Sequence, residues 1–154
     1  ELGRPVIFSA PIGFTGTLHV FTKDSMSFED YYDISDEMSL YDQLVAFAVG
    51  LTPAATHRAY MDMRRVDLSS GAAPSMASAC DISAGLLTTE MLVILLERRP
   101  PQAAPHYVQF DAYRCMYKKG RLRWGNRGPL QRLKRWVIAR QFRAQRSILE
   151  ARKG

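Results

Sequence analysis

Apolar positions run through this chain at two spacings, and each predicts a different kind of element. Val6-Ile7-Phe8 is a continuous apolar run, the pattern of a strand covered on both faces in a parallel sheet. Pro11, Gly13 and Gly16 punctuate the next stretch, and Thr17-Leu18-His19-Val20-Phe21 alternates like a second strand. Helical patterns follow. Ser27 with Asp30 caps a short helix, and Ser39 caps a better one from Leu40 to Val49, with Leu44, Phe47 and Ala48 on its apolar face and Gly50 stopping it. Thr52-Pro53 is a further start signal, predicting a helix over Pro53 to Met61 before the polar stretch from Asp62 to Gly71.

Pro74 opens the longest helix, Ser75 to Leu96, about 33 Å at the helical rise. Its first half is small (Ala77, Ser78, Ala79, Ser83, Ala84, Gly85), and it reads as a buried core helix ended by Pro100-Pro101. Its unbroken apolar run, Met91 to Leu96, is too short to cross a bilayer, and Asp81 and Glu90 interrupt any longer one. His106 to Asp111 and Tyr113 to Tyr117 read as strands around a turn at Asp111-Ala112, and Lys118-Lys119-Gly120 as a turn into Arg121 to Trp124. A last helix is expected from Leu130 to Ala151, with Leu130, Leu133, Val137, Gln141, Ala144 and Ile148 on one face.

Three segments carry a resemblance. Gly3 to Phe21 has a strand, a proline and Gly13-Phe14-Thr15-Gly16 leading into a strand that ends Val20-Phe21. Ala73 to Leu96 is a long apolar helix, and Tyr107-Val108-Gln109-Phe110-Asp111-Ala112 is a strand ending in Phe-Asp. In this order, over about residues 1–125, they resemble the ThiF/MoeB family of ubiquitin-activating-type adenylyltransferases. The resemblance implies an α/β fold: the C-terminal part of a Rossmann-like mixed sheet, with a long apolar helix, a terminal antiparallel hairpin and a basic C-terminal helix. It divides the chain into a partial adenylation domain over 1–125, with a crossover loop at about 22–72, and a basic tail over 126–154. A fold that opens on an interior strand is expected to have its first half, with the glycine-rich phosphate turn, upstream of Glu1.

The activity implied is carboxylate activation. The C-terminal carboxylate of a ubiquitin-like or sulfur-carrier protein attacks the α-phosphate of ATP, with magnesium, giving an acyl-adenylate and pyrophosphate. The residues that handle the nucleotide are expected upstream, so this portion alone is expected not to bind ATP or to catalyse. Carrying the family's substrate groove over by motif points to Gly13, Phe14, Phe110 and Asp111. A turn glycine, two core rings and a hairpin carboxylate explain the same residues without a substrate. The family's usual homodimer, with the long helix near the interface, is a further implication.

Cysteine narrows the subgroup. Residues 22–72 contain none, so a thioester-forming loop nucleophile is not expected and the MoeB style, with a separate acceptor, is favoured. Cys80 reads as a small buried hydrophobe. Cys115 has basic neighbours in Arg114, Lys118 and Lys119, as a reactive thiol would need, but no histidine placed beside it. Two isolated cysteines cannot build the two-CxxC zinc site of other relatives, and they fit a reducing, cytoplasmic setting. His19, His57 and His106 lack metal spacing. Pro11 to Gly16 is neither GxGxxG nor a P-loop, and it joins strand to strand.

Charge is the last sequence feature that changes the picture. Residues 1–113 hold 7 Lys/Arg and 14 Asp/Glu (−7), and residues 114–154 hold 14 Lys/Arg and one acid, Glu150 (+13), summing to the overall +6. The acidic, aromatic stretch from Asp24 to Asp42 does not fit an EF-hand and reads as a solvated lid, or as a receiver for a basic partner or the chain's own tail. The tail itself reads as a helix docked on the domain, an anionic-membrane contact or a nucleic-acid contact. The second function class is thus a non-catalytic interaction module whose arginine-rich tail binds membrane or nucleic acid.

Overall fold

The computed structural model describes residues 3–70 and 72–151. Gly71, the end of the expected polar stretch, lies outside the described residues, as do 1–2 and 152–154. Strands β1 (Val6–Phe8), β2 (Pro11–Ile12), β3 (Thr15–Phe21), β4 (His106–Asp111) and β5 (Met116–Arg121) form one sheet in the order β1-β3-β4-β5, with β2 paired to the start of β3. Helices are α1 (Phe28–Tyr32), α2 (Leu40–Leu51), α3 (Ala77–Leu95), α4 (Pro129–Gln141) and α5 (Arg146–Glu150). The expected α/β class, long apolar helix, terminal hairpin and basic C-terminal helix are all present.

The strand buried on both faces is β3, not β1. Every residue of β3 is buried, while β1 forms an edge with Val6 58% exposed. All named strand pairs are antiparallel, so the parallel pairing expected for Val6–Phe8 is not found. The misleading signal was the alternation in β3. Its polar positions are buried because each finds a partner: Thr17 Oγ1 donates to the Ala10 carbonyl at 3.0 Å, Thr15 donates to Asp111, and His19 Nε2 meets the Leu51 carbonyl at 3.2 Å.

One sheet face, bearing Gly16, Leu18 and Val20, receives α3. A Cβ on Gly16 would lie 2.7 Å from Ile82 Cγ2, so the helix sits directly on the strand. Only Ala79, Ser83 and Glu90 of α3 are buried, so it is not the core helix expected. By length and composition α3 is apolar enough to cross a membrane, but one of its faces is occupied by the sheet. Cys80, expected buried, is exposed on the outer face.

The opposite sheet face is covered by α1 and α2. Ser27 and Ser39 cap them as expected, accepting from the Asp30 and Asp42 amides. Gly50 does not stop α2. It lies inside the helix, where a Cβ would strike the Tyr32 ring at 2.6 Å. Tyr31 and Tyr32 are fully buried beside Phe21 and Leu51, so the aromatic half of the supposed lid is core. The helix expected over Pro53 to Met61 shrinks to a 3₁₀ turn at Thr56–Ala59, because Ala55 is left-handed (φ 49°) and the Ala54 amide is drawn to Gln109.

The C-terminal hairpin is longer and shifted. Its turn spans 112–115, with Cys115 at φ 49°, and Lys118-Lys119-Gly120 lies inside β5 rather than in a turn. Gly120 is opposite Tyr107, whose ring would lie 2.4 Å from any Cβ there. Arg121 ends β5 rather than opening a further segment, and the chain turns through 122–124 into a 3₁₀ turn at Gly125–Arg127. Gly125 is left-handed (φ 53°) and packs against the Asp30 and Tyr31 carbonyls.

The last helix is broken at Phe142, which turns into the core, and its buried side differs from the expected one. Gln131, Ile138, Phe142 and Leu149 face inward onto Tyr41, Val45 and Val49 of α2, whereas Leu130, Leu133 and Ile148 are exposed. Asp33 receives Arg127 Nε at 3.0 Å and also pairs with Arg135. Part of the charge asymmetry is therefore met internally.

Candidate functional site around the Gly13-Phe14 turn

β2 and β3 are joined by the two-residue turn Gly13-Phe14, with Gly13 at φ 58°. Segment 74–76, which leads into α3, is pinned to this tip. The Gly13 N–H donates to the Pro74 carbonyl at 2.8 Å, and the Met76 N–H donates to the Gly13 carbonyl at 2.9 Å. From the other side the Ala112 N–H donates to the Phe14 carbonyl at 3.1 Å. The turn therefore touches both distant segments, the start of α3 and the end of β4.

Beneath it lies a buried polar row. Strand alternation puts Thr15, Thr17 and His19 of β3 on one face with Gln109 and Asp111 of β4. Donors run in order along it: Ala54 N–H to Gln109 Oε1, Gln109 Nε2 to Thr56 Oγ1 (3.0 Å), Thr56 to Thr15 (3.2 Å), and Thr15 to Asp111 Oδ2 (3.0 Å). The Tyr60 hydroxyl donates to the same carboxylate oxygen at 3.2 Å and accepts the Phe14 N–H at 3.1 Å. Arg114 N–H fills Oδ1 at 3.0 Å. Burial, with Asp111 alongside, pushes the Tyr60 hydroxyl above its ordinary pKa, which keeps its proton in place to donate.

Asp111 is thus fully buried and its oxygens are occupied by three donors from this chain. It positions Tyr60 and the hairpin turn. Asp111→Ala is expected to lower stability by about 2 kcal/mol, since it strands buried donors, with Asp111→Asn recovering part of the loss. Urea denaturation of the two variants against the parent checks this; an unchanged midpoint for Asp111→Ala would contradict the network.

Of the four residues singled out from the sequence, Gly13, Phe14 and Asp111 come together. Phe110 does not: it pairs with Gly16 and lies on the α3 face. Tyr60, Thr15, Thr56, Gln109 and Tyr113 were missed. Tyr113 stacks on Phe14 (5.4 Å between centroids) and meets Tyr60 at 5.0 Å, and it is largely exposed. The signal for the polar row was the period of two in Thr15, Thr17, His19 and again in Gln109, Asp111.

Beside the row, under residues 63–68 and 72–74, is an apolar cavity of about 160 Å³ lined by Ile12, Phe47, Met63, Val66, Leu68 and Phe142, with His57, Arg58 and Lys134 also contributing. Burial drives His57 down to about 4, with Arg58 reinforcing it, so the ring is neutral. Lys134 is committed to the Pro53 carbonyl at 2.7 Å and to Gln131 at 3.0 Å.

The turn glycines are not a phosphate cradle. A Cβ on Gly13 would lie 2.8 Å from Tyr60, and the space over Gly16 is filled by Ile82 and Ser83, so side chains of this protein occupy the room a phosphate would need. Among the described residues no group of three His, Cys, Asp or Glu is placed to hold a metal ion. Cys115 lies in the exposed hairpin turn, with its thiol 3.7 Å from the Ala112 carbonyl. Compared with known proteins, the chain matches no family model and no curated sequence.

Proposed function

We propose that this chain is the substrate-side half of an ATP-dependent adenylyltransferase of the ThiF/MoeB type, activating the C-terminal carboxylate of a ubiquitin-like or sulfur-carrier protein. One observation carries the reading. The three segments that resemble the family, some 60 and 95 residues apart, converge by direct hydrogen bonds on the Gly13-Phe14 turn. The β3–β4 register, with Thr15 opposite Asp111, joins two of them, and the Gly13 bonds to Pro74 and Met76 add the third.

In this reading the extended tail of the carrier passes over Phe14, Tyr60 and Tyr113, beside the end of β4 and beneath the segment tethered at Pro74 and Met76. Asp111 and Thr15 hold that surface in place. The glycines here do not fit a triphosphate, so no nucleotide step is assigned to these side chains. With no cysteine in the crossover loop, the adenylate passes to a separate acceptor in the MoeB manner. The outer face of α3, small at Ala84 and Gly85 and apolar at Leu92 and Leu95, is where a homodimer would form. The cytoplasm, where carriers and ATP are found together, is the setting proposed.

The test is ATP–pyrophosphate exchange by the full-length protein, with magnesium and a panel of carriers ending in Gly-Gly. Label is expected to enter ATP with at least one carrier. Tyr113→Ala, an exposed change, is expected to raise KM for the carrier and leave KM for ATP unchanged. Absence of exchange with every carrier would refute the adenylation reading.

A further inference from the structure

We infer that the outer face of α4, together with Trp124, docks on an anionic bilayer surface. Gln131, Lys134, Ile138 and Phe142 turn inward, and what remains outside is unusual for a solvated helix. Leu130 is 63% exposed, Leu133 56%, Trp136 60% and, just before the helix, Trp124 61%. The spacing of Leu133 and Trp136 puts them on the side opposite Ile138. Trp124 lies next to the helix start, its ring within 3.9 Å of a Cβ built on Gly128.

The charges around this patch are divided by role. Arg127 and Arg135 are consumed by Asp33, Lys134 by Pro53 and Gln131, and Arg146 by Glu150 at 2.7 Å. Arg123, Arg132 and Arg140 form no ion pair among the described residues. Arg123 lies over the Trp124 ring (5.9 Å) and Arg140 over the Trp136 ring (5.8 Å), so two of these free cations sit beside the two indoles. The only acid between residues 114 and 154 is Glu150, already paired, so no carboxylate on this stretch opposes an anionic surface.

Exposed indoles and leucines flanked by unpaired arginines are what an interfacial helix presents: the rings settle at headgroup depth and the guanidinium groups meet lipid phosphates. Duplex nucleic acid would use the arginines but leave Leu130 and Leu133 in water. A protein groove would not require the surplus of cations.

Both tryptophans of the 154-residue chain are in this patch, so selectively excited tryptophan emission from this chain reports on it. The 154-residue chain is titrated with vesicles of phosphatidylcholine, with and without phosphatidylserine, and with duplex DNA. A blue-shifted emission, quenched by brominated acyl chains, is expected with the anionic vesicles only. Arg132→Glu and Arg140→Glu are each expected to weaken vesicle binding at least about fivefold. Leu133→Ser with Trp136→Ala is expected to weaken it more than about tenfold at an unchanged melting temperature. Three results would overturn the inference: no spectral shift, binding without quenching, or tighter binding to DNA than to anionic vesicles.

Discussion

Taking the protein from pH 7 to pH 4 is expected to cost about 6 kcal/mol of folding stability, an amount comparable with the whole stability of many domains. The source is two histidines. His19 is 1% exposed, boxed in by the rings of Tyr31 (5.3 Å) and Tyr32 (5.9 Å), and its Nδ1 has no hydrogen-bond partner among the described residues. His57 is also buried, with Nδ1 likewise unpartnered among the described residues and Arg58 next to it. Burial lowers both rings from 6.5 to about 4. The unfolded chain protonates them near 6.5 and the folded protein only near 4, so between those values the unfolded state holds more protons. Stability is therefore complete above pH 6.5 and falls as pH drops through the window. Each ring contributes about 3 kcal/mol. Asp33 acts lower down. Its burial raises the carboxyl, but Arg127 and Arg135 overcome this and hold it below its usual range, so its contribution is lost only in stronger acid. Urea titrations at pH 7, 5.5 and 4 measure the effect, and equal stability at all three would remove the basis for it.

The second large effect concerns Asn126. This fully buried side chain donates to the Tyr32 carbonyl at 2.8 Å and the Ala46 carbonyl at 2.7 Å, and accepts from Gln131 Nε2 at 3.2 Å. It therefore ties α1, α2 and α4 at one point. Asn126→Ala removes three buried hydrogen bonds at once, with Gln131 Nε2 keeping only its 3.4 Å bond to the Val49 carbonyl, and is expected to cost about 3 kcal/mol. In a chain of this size that lowers the melting temperature by about 6–12 °C. Asn126→Asp is expected to be worse, although it is closer in shape, because it turns a lone pair toward two carbonyls that need a donor. Thermal melts of the two variants decide the matter. If Asp proved the milder change, the donor geometry would be wrong.

The sequence was most legible where a local device fixes local structure. Ser27 and Ser39 announced α1 and α2, and Pro74 announced α3. It was least legible where a distant residue decides. Nothing near Gly50 says that Tyr32 needs its missing side chain, and nothing near Gly120 says that Tyr107 lies across from it. Thr52-Pro53 is a sound helix start that loses to Gln109, 55 residues away in the hydrogen bond it makes with Ala54. Alternation in β3 showed a strand but not its burial, because a period of two does not reveal whether polar positions meet water or one another. The tail misled for a related reason. Both of its faces carry apolar residues, so spacing alone could not tell which one faces α2. Of the candidate site, the motif residues could be read in the sequence, while Tyr60 and Tyr113, which give the surface its rings, follow no pattern of their own.

The pairing of α2 with α4 and α5 has a consequence for biosynthesis. A nascent chain emerging from the ribosome completes α2 at residue 51, yet the residues that cover its apolar side, Ile138, Phe142 and Leu149, are translated 87 to 98 positions later. Through that stretch of synthesis the side has no native cover, so a chaperone that shields apolar helices has its opportunity there.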